Sequence, residues 1–181
     1  MEFKNIAVSG RIGAGTSTLV KQLSQTLGWP LRDASQIFRD VSLHSGFDLE
    51  KNPQKYADEI DLQVDNETIS TLKSLSSVVV TSKLAGFLSR DISHALRILI
   101  ACPVEERIRR YAVSRGYSID KAKELLILRE KLDQEKWSHL YGHHDFLNPR
   151  YFQLVLDSTV MTPEEEVDLI SRHLNWTQNL C

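Results

Sequence analysis

Ten residues near the start of the chain, SGRIGAGTST, carry the glycine and hydroxyl spacing of a phosphate-binding loop. Gly10 and Gly15 are separated by four residues, and Gly13 lies between them. Glycines let the backbone turn tightly and direct successive N–H groups at an anion, and a following helix adds its positive end. The hydroxyls of Ser17 and Thr18 stand where such loops place a Mg²⁺ ligand. The sequence therefore predicts a P-loop.

The loop departs from the usual P-loop pattern at one position, because Thr16 stands where the pattern has a lysine. That lysine reaches the outer phosphates, and transfer of a γ-phosphate requires its charge to be neutralised. We therefore expect the loop to bind phosphate and expect another cation to take over in transfer. The alternative, a mere strand-to-helix turn, is disfavoured by the three glycines and the following Ser-Thr pair.

The segments around the loop alternate between predicted strands and predicted helices. Short apolar runs predict buried strands at NIAVSG, SSVVVTS, ALRILIAC and YFQLVLDS, with a shorter extended piece at WPLRD. Helices are expected after the loop, over about 53–74, from Ser118 to about Tyr141, and after a capping box at Thr162. We predict an α/β fold of the P-loop NTPase type, a three-layer sandwich with a five-stranded parallel sheet, whose ligands bind at the carboxyl ends of the strands.

Length and composition favour a single domain, 1–181, that acts on small molecules. The net charge of −2, without a dense Lys/Arg block, argues against a nucleic-acid partner. No apolar run approaches the ~18 residues of a membrane span, and the first residues lead into a strand rather than a signal peptide. We expect a cytoplasmic monomer. Two helical segments, about 35–75 and 116–142, are longer than a crossover connection between two strands requires. Their length is typical of mobile flaps that close over a substrate.

Several segments, taken in order, resemble those of the cytidylate kinase family, in its compact archaeal-like form among the nucleoside monophosphate kinases. They are GRIGAGTST, RDASQIFR, SKLAGF, VEERIRR, REKLDQEK and LVLDST, and they extend over nearly the whole chain. The resemblance implies transfer of the γ-phosphate of ATP, bound with Mg²⁺ at the P-loop, to a pyrimidine monophosphate, CMP or dCMP. Segment 35–75 then holds the monophosphate, and 116–142 forms the lid.

The resemblance also implies roles for individual residues. On the ATP side they are Gly10, Arg11, Gly13, Ala14, Gly15, Thr16, Ser17, Thr18, Arg107 and Arg110. On the acceptor side they are Asp33, Ser35, Arg39, Gln63, Lys83, Arg129 and Asp133. The expected catalytic residues are Lys83, Arg129 and Lys136, and the expected Mg²⁺ ligands are Ser17 and Asp33.

The lid charges have structural alternatives. Arg129, Asp133 and Lys136 are spaced four and three apart, so they share one helix face. In the family such residues reach the phosphates and the acceptor sugar, whereas the alternative is a local Arg129–Asp133 ion pair with no further role. Arg107 and Arg110 match family arginines near ATP, and their alternative is that of exposed helix charges.

Two further departures from the family fall at the end of the third strand. Thr81 replaces an acidic residue that supports Mg²⁺, and Ser82-Lys83 replaces a Gly-Arg pair that grips the acceptor phosphate. The third strand is expected beside the first, which brings Lys83 near the missing loop lysine. Lys83 therefore either replaces that lysine or binds the acceptor phosphate as a point charge.

The remaining acceptor-side residues carry alternatives of their own. We expect the carboxylate of Asp33 to replace the acidic Mg²⁺-supporting residue that the chain lacks at Thr81. The alternative is that Asp33 lies at the entry of a helix that Ser35 caps. By the resemblance, Gln63 replaces a base-contacting arginine of the family. Arg39 either matches the arginine that holds the acceptor phosphate or is an exposed helix residue.

Two classes of function follow from these patterns. The first is an active kinase for CMP, dCMP or another small acceptor. The second is a nucleotide-binding or regulatory protein that has lost transfer, which the changes at Thr16 and Thr81 permit. Retention of Arg39, Arg129 and Asp133 favours the kinase, because a binding protein has little need of acceptor and lid charges.

Overall fold

The structure, a computed structural model, describes residues 3–36, 58–143 and 145–178. Five parallel strands form one sheet in the order β2-β3-β1-β4-β5. Their bounds are Asn5–Gly10 (β1), Leu31–Asp33 (β2), Val78–Thr81 (β3), Ala95–Ala101 (β4) and Leu154–Asp157 (β5). The predicted fold class, the five strands and the position of the third strand beside the first are confirmed.

Helices cover both faces of the sheet. They are α1 (Thr16–Leu27), α2 (Asp58–Ser74), the short α3 (Ala85–Leu88), α4 (Val104–Arg115), α5 (Ile119–Tyr141) and α6 (Pro163–Gln178). A turn of 3₁₀ helix, Pro149–Tyr151, precedes β5. Since no helix among the described residues has the length and apolar character to cross a bilayer, the described chain holds no membrane-spanning helix.

The alternation of side chains along the strands produces two apolar cores, one on each face of the sheet. On one face, Ile6 and Val8 of β1 pack with residues of α1 and α6. On the other, Ala7 of β1 packs with Val80 of β3 and Leu72 of α2. Because successive strand residues point to opposite faces, one strand contributes to both cores. The result is the predicted three-layer sandwich.

Helix boundaries follow local capping. The hydroxyl of Ser118 accepts from the backbone N–H of Lys121 at 3.2 Å and begins α5 as predicted. The predicted capping box is also present: Thr162 N–H donates to Glu165 at 2.8 Å, and Glu165 N–H donates to the Thr162 hydroxyl at 3.3 Å. For the helix predicted over 53–74, the part before residue 58 lies outside the described residues.

The cap predicted at Ser35 is wrong. Residues 34–36 are helical, and the Asp33 carboxylate accepts from the backbone N–H of Ser35 at 2.8 Å. Asp33 therefore caps this turn and Ser35 belongs to it, because a cap accepts from the N–H two residues ahead. Asp33 therefore lies at the entry of a helical turn, as the structural alternative for this residue expects.

Candidate active site

The glycine loop connects β1 to α1 at the carboxyl edge of the sheet. Gly13 and Gly15 have φ angles of +80° and +96°, in the left-handed region that favours glycine. A Cβ on Gly13 would also lie 2.6 Å from the backbone oxygen of Arg107. The loop therefore packs directly on the first turn of α4, and its glycines allow both the turn and that close approach.

Thr16 occupies the lysine position without extending outward. Its hydroxyl oxygen is buried and has no hydrogen-bond partner among the described residues. The hydroxyl is turned back to β1, since a Cβ on Gly10 would lie 2.5 Å from it. By contrast, Ser17 and Thr18 are exposed on the first turn of α1, at the positive end of that helix. The loop thus retains its backbone donors and its exposed hydroxyls, but not the long cation.

A cavity of about 420 Å³, partly open to solvent, lies beside the loop. Its walls are formed by loop residues 10–12, by Lys83, by the α5 residues Glu130, Asp133, Gln134 and Trp137, and by residues 145–147. The cavity therefore lies between the carboxyl edge of the sheet and the predicted lid helix.

The segment that carries Lys83 is tied to the end of β1. The backbone N–H of Ser82 donates to Val8 O at 3.3 Å, and the hydroxyl of Ser9 donates to Ser82 O at 3.1 Å. The same hydroxyl accepts from the N–H of Gly86 at 2.9 Å. These bonds hold Lys83 at the cavity wall next to the P-loop.

Within the cavity, Lys83 is paired with the lid helix. Its ammonium forms an ion pair with Asp133 and lies 5.6 Å from the centre of the Trp137 ring. Burial lowers the pKa of Lys83, and the negative charge of Asp133 acts in the opposite direction. The lysine is therefore a partly buried cation held between the sheet edge and α5.

Arg107 joins α4, the P-loop and the lid helix. Only 4% exposed, it donates to Ile12 O at 3.1 Å and to Cys102 O at 3.2 Å. Its guanidinium also forms an ion pair with Glu130 of α5. The alternative of an exposed helix charge is therefore wrong for Arg107, because the side chain turns inward to the loop.

Arg110 lies on the outer side of the P-loop. Its guanidinium donates to the hydroxyl and the carbonyl of Ser158 at 2.9 and 2.8 Å, and it pairs with Glu106 at 2.8 Å. The nearest atom to a Cβ built on Gly15 is an Arg110 nitrogen, at 3.5 Å. Arg110 thus links α4, the segment after β5 and the P-loop, on the side where ATP is predicted.

The three predicted lid residues point in different directions. Arg129 is 53% exposed and pairs with Asp133 at 3.3 Å, as the local alternative expects, while Asp133 also pairs with Lys83. Lys136 instead forms an ion pair with Asp61 of α2. On α5, Asp133 therefore faces the cavity, whereas Lys136 contacts α2.

A buried contact lies beside the Lys136 pair. The hydroxyl of Tyr141 donates to Asp65 of α2, whose residue surface is 9% exposed. Burial raises the pKa of Asp65 to about 6; Asp61 adds to this rise, whereas the Tyr141 bond and Lys136 oppose it. Burial and the same hydrogen bond raise the pKa of Tyr141.

Three acceptor-side residues remain predictions. Gln63 is exposed and donates to Glu67 on its own helix at 3.3 Å, outside the cavity wall. Arg39 lies outside the described residues. Asp33 is aligned with Thr81 across the β2–β3 pair, and its second carboxylate oxygen takes no part in the Ser35 bond. Within the described chain, no three His, Cys, Asp or Glu side chains come together as a metal site.

Several residues of this site were not predicted from the sequence, among them Glu130 and Ser9. Glu130 precedes Asp133 by three positions and Trp137 by seven, a spacing that places all three on one side of a helix. This spacing is visible in the sequence, but the predicted site role was given to the neighbouring Arg129 and not to Glu130. Ser9 carries no signal, because its role depends on the pairing of β1 with β3.

Comparisons with known proteins agree with this geometry. The model of the cytidylate kinase-like family matches residues 5–160. The cytidylate kinase of Sulfolobus acidocaldarius is 32% identical over 167 residues, 91% of each chain. The cytidylate kinase of Ignicoccus hospitalis is 31% identical over 171 residues, 93% of this chain and 98% of that one.

Solved structures extend the likeness in fold. An uncharacterized protein from Eubacterium ventriosum has a TM-score of 0.71 at 14% identity, over 95% of this chain and 98% of that one. A shikimate kinase from Acinetobacter baumannii, in complex with shikimate, has a TM-score of 0.62 at 16% identity, over 95% and 93%. These likenesses bear on the fold alone. By the family match over most of its length, the chain belongs to the cytidylate kinase-like family, and with it to the ATP-dependent phosphotransferases.

Proposed function

We propose that the protein is a nucleoside monophosphate kinase that transfers the γ-phosphate of ATP to a pyrimidine monophosphate, CMP or dCMP. An oxygen of the acceptor phosphate attacks the γ-phosphorus, and the bond from that phosphorus to the β–γ bridging oxygen breaks, which releases ADP. The supporting observation is a single cavity walled by the P-loop, by Lys83 and by the lid helix. The names of the archaeal relatives support the choice of acceptor.

The phosphates of ATP are proposed to bind the loop N–H groups and the first turn of α1. Arg107, which donates to Ile12 O of the loop, and Arg110, which lies beside Gly15, are proposed to face the nucleotide from α4, where each now pairs with a glutamate. Mg²⁺ would be held by Ser17 and Asp33, a hydroxyl and a carboxylate of the kind that this ion prefers. Such an ion would supply positive charge that offsets the negative charge of the transferring phosphate.

Lys83 is proposed to supply the charge that the P-loop lacks at Thr16. The Thr16 side chain is short and turned toward Gly10, whereas Lys83 and Arg11 are the two cations among the described residues that line the cavity. The bonds from Ser9 and Val8 hold the Lys83 segment beside the loop. Asp133 neutralises Lys83 and is therefore expected to exchange with phosphate when substrates bind.

Replacing Lys83 with alanine tests this role. Loss of a charge that acts on the transferring phosphate is expected to lower kcat about 10²-fold or more. If Lys83 serves only the acceptor phosphate, KM for the monophosphate rises and kcat changes little. Lys131→Ala is the matched control, because Lys131 is 70% exposed on the same lid helix that pairs with Lys83. Equal kcat in the two variants would refute the proposal for Lys83.

The second candidate is a nucleotide-binding or regulatory protein of the same fold, or a kinase for a different small acceptor. The observations that favour it are the buried Thr16 hydroxyl, the neutral Thr81 and the pairing of Lys83 with Asp133. An assay of ADP release with ATP and Mg²⁺ across CMP, dCMP, UMP, dTMP, AMP and GMP separates these candidates. Fastest turnover with CMP or dCMP is expected. ATP binding without turnover on any acceptor would support the binding protein.

A further inference from the structure

The lid helix places two carboxylates among the cations of the cavity. In the part of the cavity wall that the structure describes, the two cations, Arg11 and Lys83, form ion pairs with residues of α5. Asp133 pairs with Lys83, and Glu130 pairs with Arg11 at 3.4 Å. The positive charge that faces the cavity is therefore matched by negative charge from the lid.

Glu130 has the more extensive set of partners. One of its oxygens forms an ion pair with the buried Arg107, while the other lies 3.5 Å from the second terminal nitrogen of the same guanidinium and 3.4 Å from Arg11. Arg107 in turn donates to Ile12 O at 3.1 Å. A single carboxylate thus spans two arginines at the P-loop.

A planar guanidinium binds a carboxylate and a phosphate with the same two-pronged geometry. A nucleotide phosphate at the loop would therefore require the donors that Glu130 now uses. We propose that Glu130 is a positioning residue that competes with the nucleotide phosphates for Arg11 and Arg107. This inference rests on the proposed function, because it takes the P-loop as the phosphate site.

The competition has a measurable consequence for affinity. Glu130 keeps Arg107 and Arg11 oriented, but each bond that it makes must be exchanged when phosphate binds. Removing its charge while keeping its shape is expected to tighten phosphate binding. A merely structural role, in which Glu130 neutralises the buried Arg107, predicts the opposite, because an unpaired buried arginine destabilises the site.

The test compares Glu130→Gln with the wild type by calorimetric titration with inorganic tripolyphosphate. Glu130→Gln is expected to bind about tenfold more tightly, which corresponds to about 1.4 kcal/mol. Glu135→Gln is the matched control, since Glu135 is 61% exposed on the same helix, and it should leave the affinity unchanged. The ligand-induced rise in Tm should also be larger in Glu130→Gln than in the wild type.

Equal or weaker binding by Glu130→Gln would overturn the proposal. If that variant does not fold, Glu130→Asp replaces it: the charge stays near Arg107, but the shorter side chain loses Arg11. Binding a few-fold tighter is then expected, and unchanged binding overturns the proposal. Titration requires no turnover, so the two proposals fail separately. Tighter binding without turnover on any monophosphate refutes only the kinase, whereas turnover with unchanged binding refutes only the role of Glu130.

Discussion

Replacement of Asp65 with asparagine is expected to stabilise the folded protein at neutral pH and to do so less in acid. Asp65 lies on the buried side of α2 and accepts a hydrogen bond from Tyr141. Burial, with the nearby charge of Asp61, raises its pKa from 3.8 to about 6 against the opposing effects of Tyr141 and Lys136. The folded protein therefore carries a carboxylate that would be better solvated in the unfolded chain.

The size of the effect follows from linkage. A pKa raised from 3.8 to about 6 in the folded state corresponds to a cost of about 3 kcal/mol when the carboxylate is charged. Because the folded state binds the proton more tightly, the free energy of unfolding falls as pH rises from about 4 to about 6 and is level above that range. Asparagine keeps an oxygen acceptor for Tyr141 and removes the charge.

Urea denaturation at two pH values measures this difference. Asp65→Asn is expected to raise the free energy of unfolding by up to about 3 kcal/mol at pH 8, and by about half as much at pH 5. Asp91→Asn is the control, because Asp91 is 86% exposed, and it should change stability little at either pH. A gain of equal size at both pH values, or a loss at pH 8, would mean that the buried charge of Asp65 does not destabilise the folded protein.

Two further substitutions probe other buried positions. Glu166 is 3% exposed, and burial raises its pKa to about 7. In thermal denaturation, Glu166→Gln should therefore raise the free energy of unfolding by up to about 3 kcal/mol at pH 8 and by little at pH 4.5. A change that does not depend on pH would contradict this expectation. Gly86→Ala would place a methyl group against the ring of Phe152, and a loss of about 1–3 kcal/mol is expected from urea denaturation. Unchanged stability of Gly86→Ala would mean that the ring moves aside freely.

The sheet could be predicted from local sequence. β-branched runs such as that of β3 have few alternatives to a buried strand, and the capping box at Thr162 specifies its helix start within four residues. Because β1 pairs with β3, Lys83 at the end of β3 lies beside the P-loop at the end of β1. This position depends on the strand order and not on any single residue. Sequence alone left the helix entry open between Asp33 and Ser35, because both are good capping types and lie two residues apart.

The site was harder to predict where its contacts cross between elements. Arg107 belongs to a polar helix whose composition suggests exposure, yet it is buried by the P-loop and by Glu130. Lys136 was grouped with Arg129 by helical spacing, but its partner is Asp61 on another helix. Spacing along one helix specifies a shared face, while the partner opposite depends on packing between helices.

The main proposal for this site is that Lys83 supplies the charge that the P-loop lacks at Thr16. A restored loop lysine tests it most directly, by measuring γ-phosphate transfer to CMP in Lys83→Ala and in the double variant Thr16→Lys/Lys83→Ala. Lys83→Ala is expected to lose transfer about 10²-fold, and Thr16→Lys in the double variant is expected to recover most of that loss. Loss of transfer that Thr16→Lys does not recover, or no loss in Lys83→Ala, would contradict it.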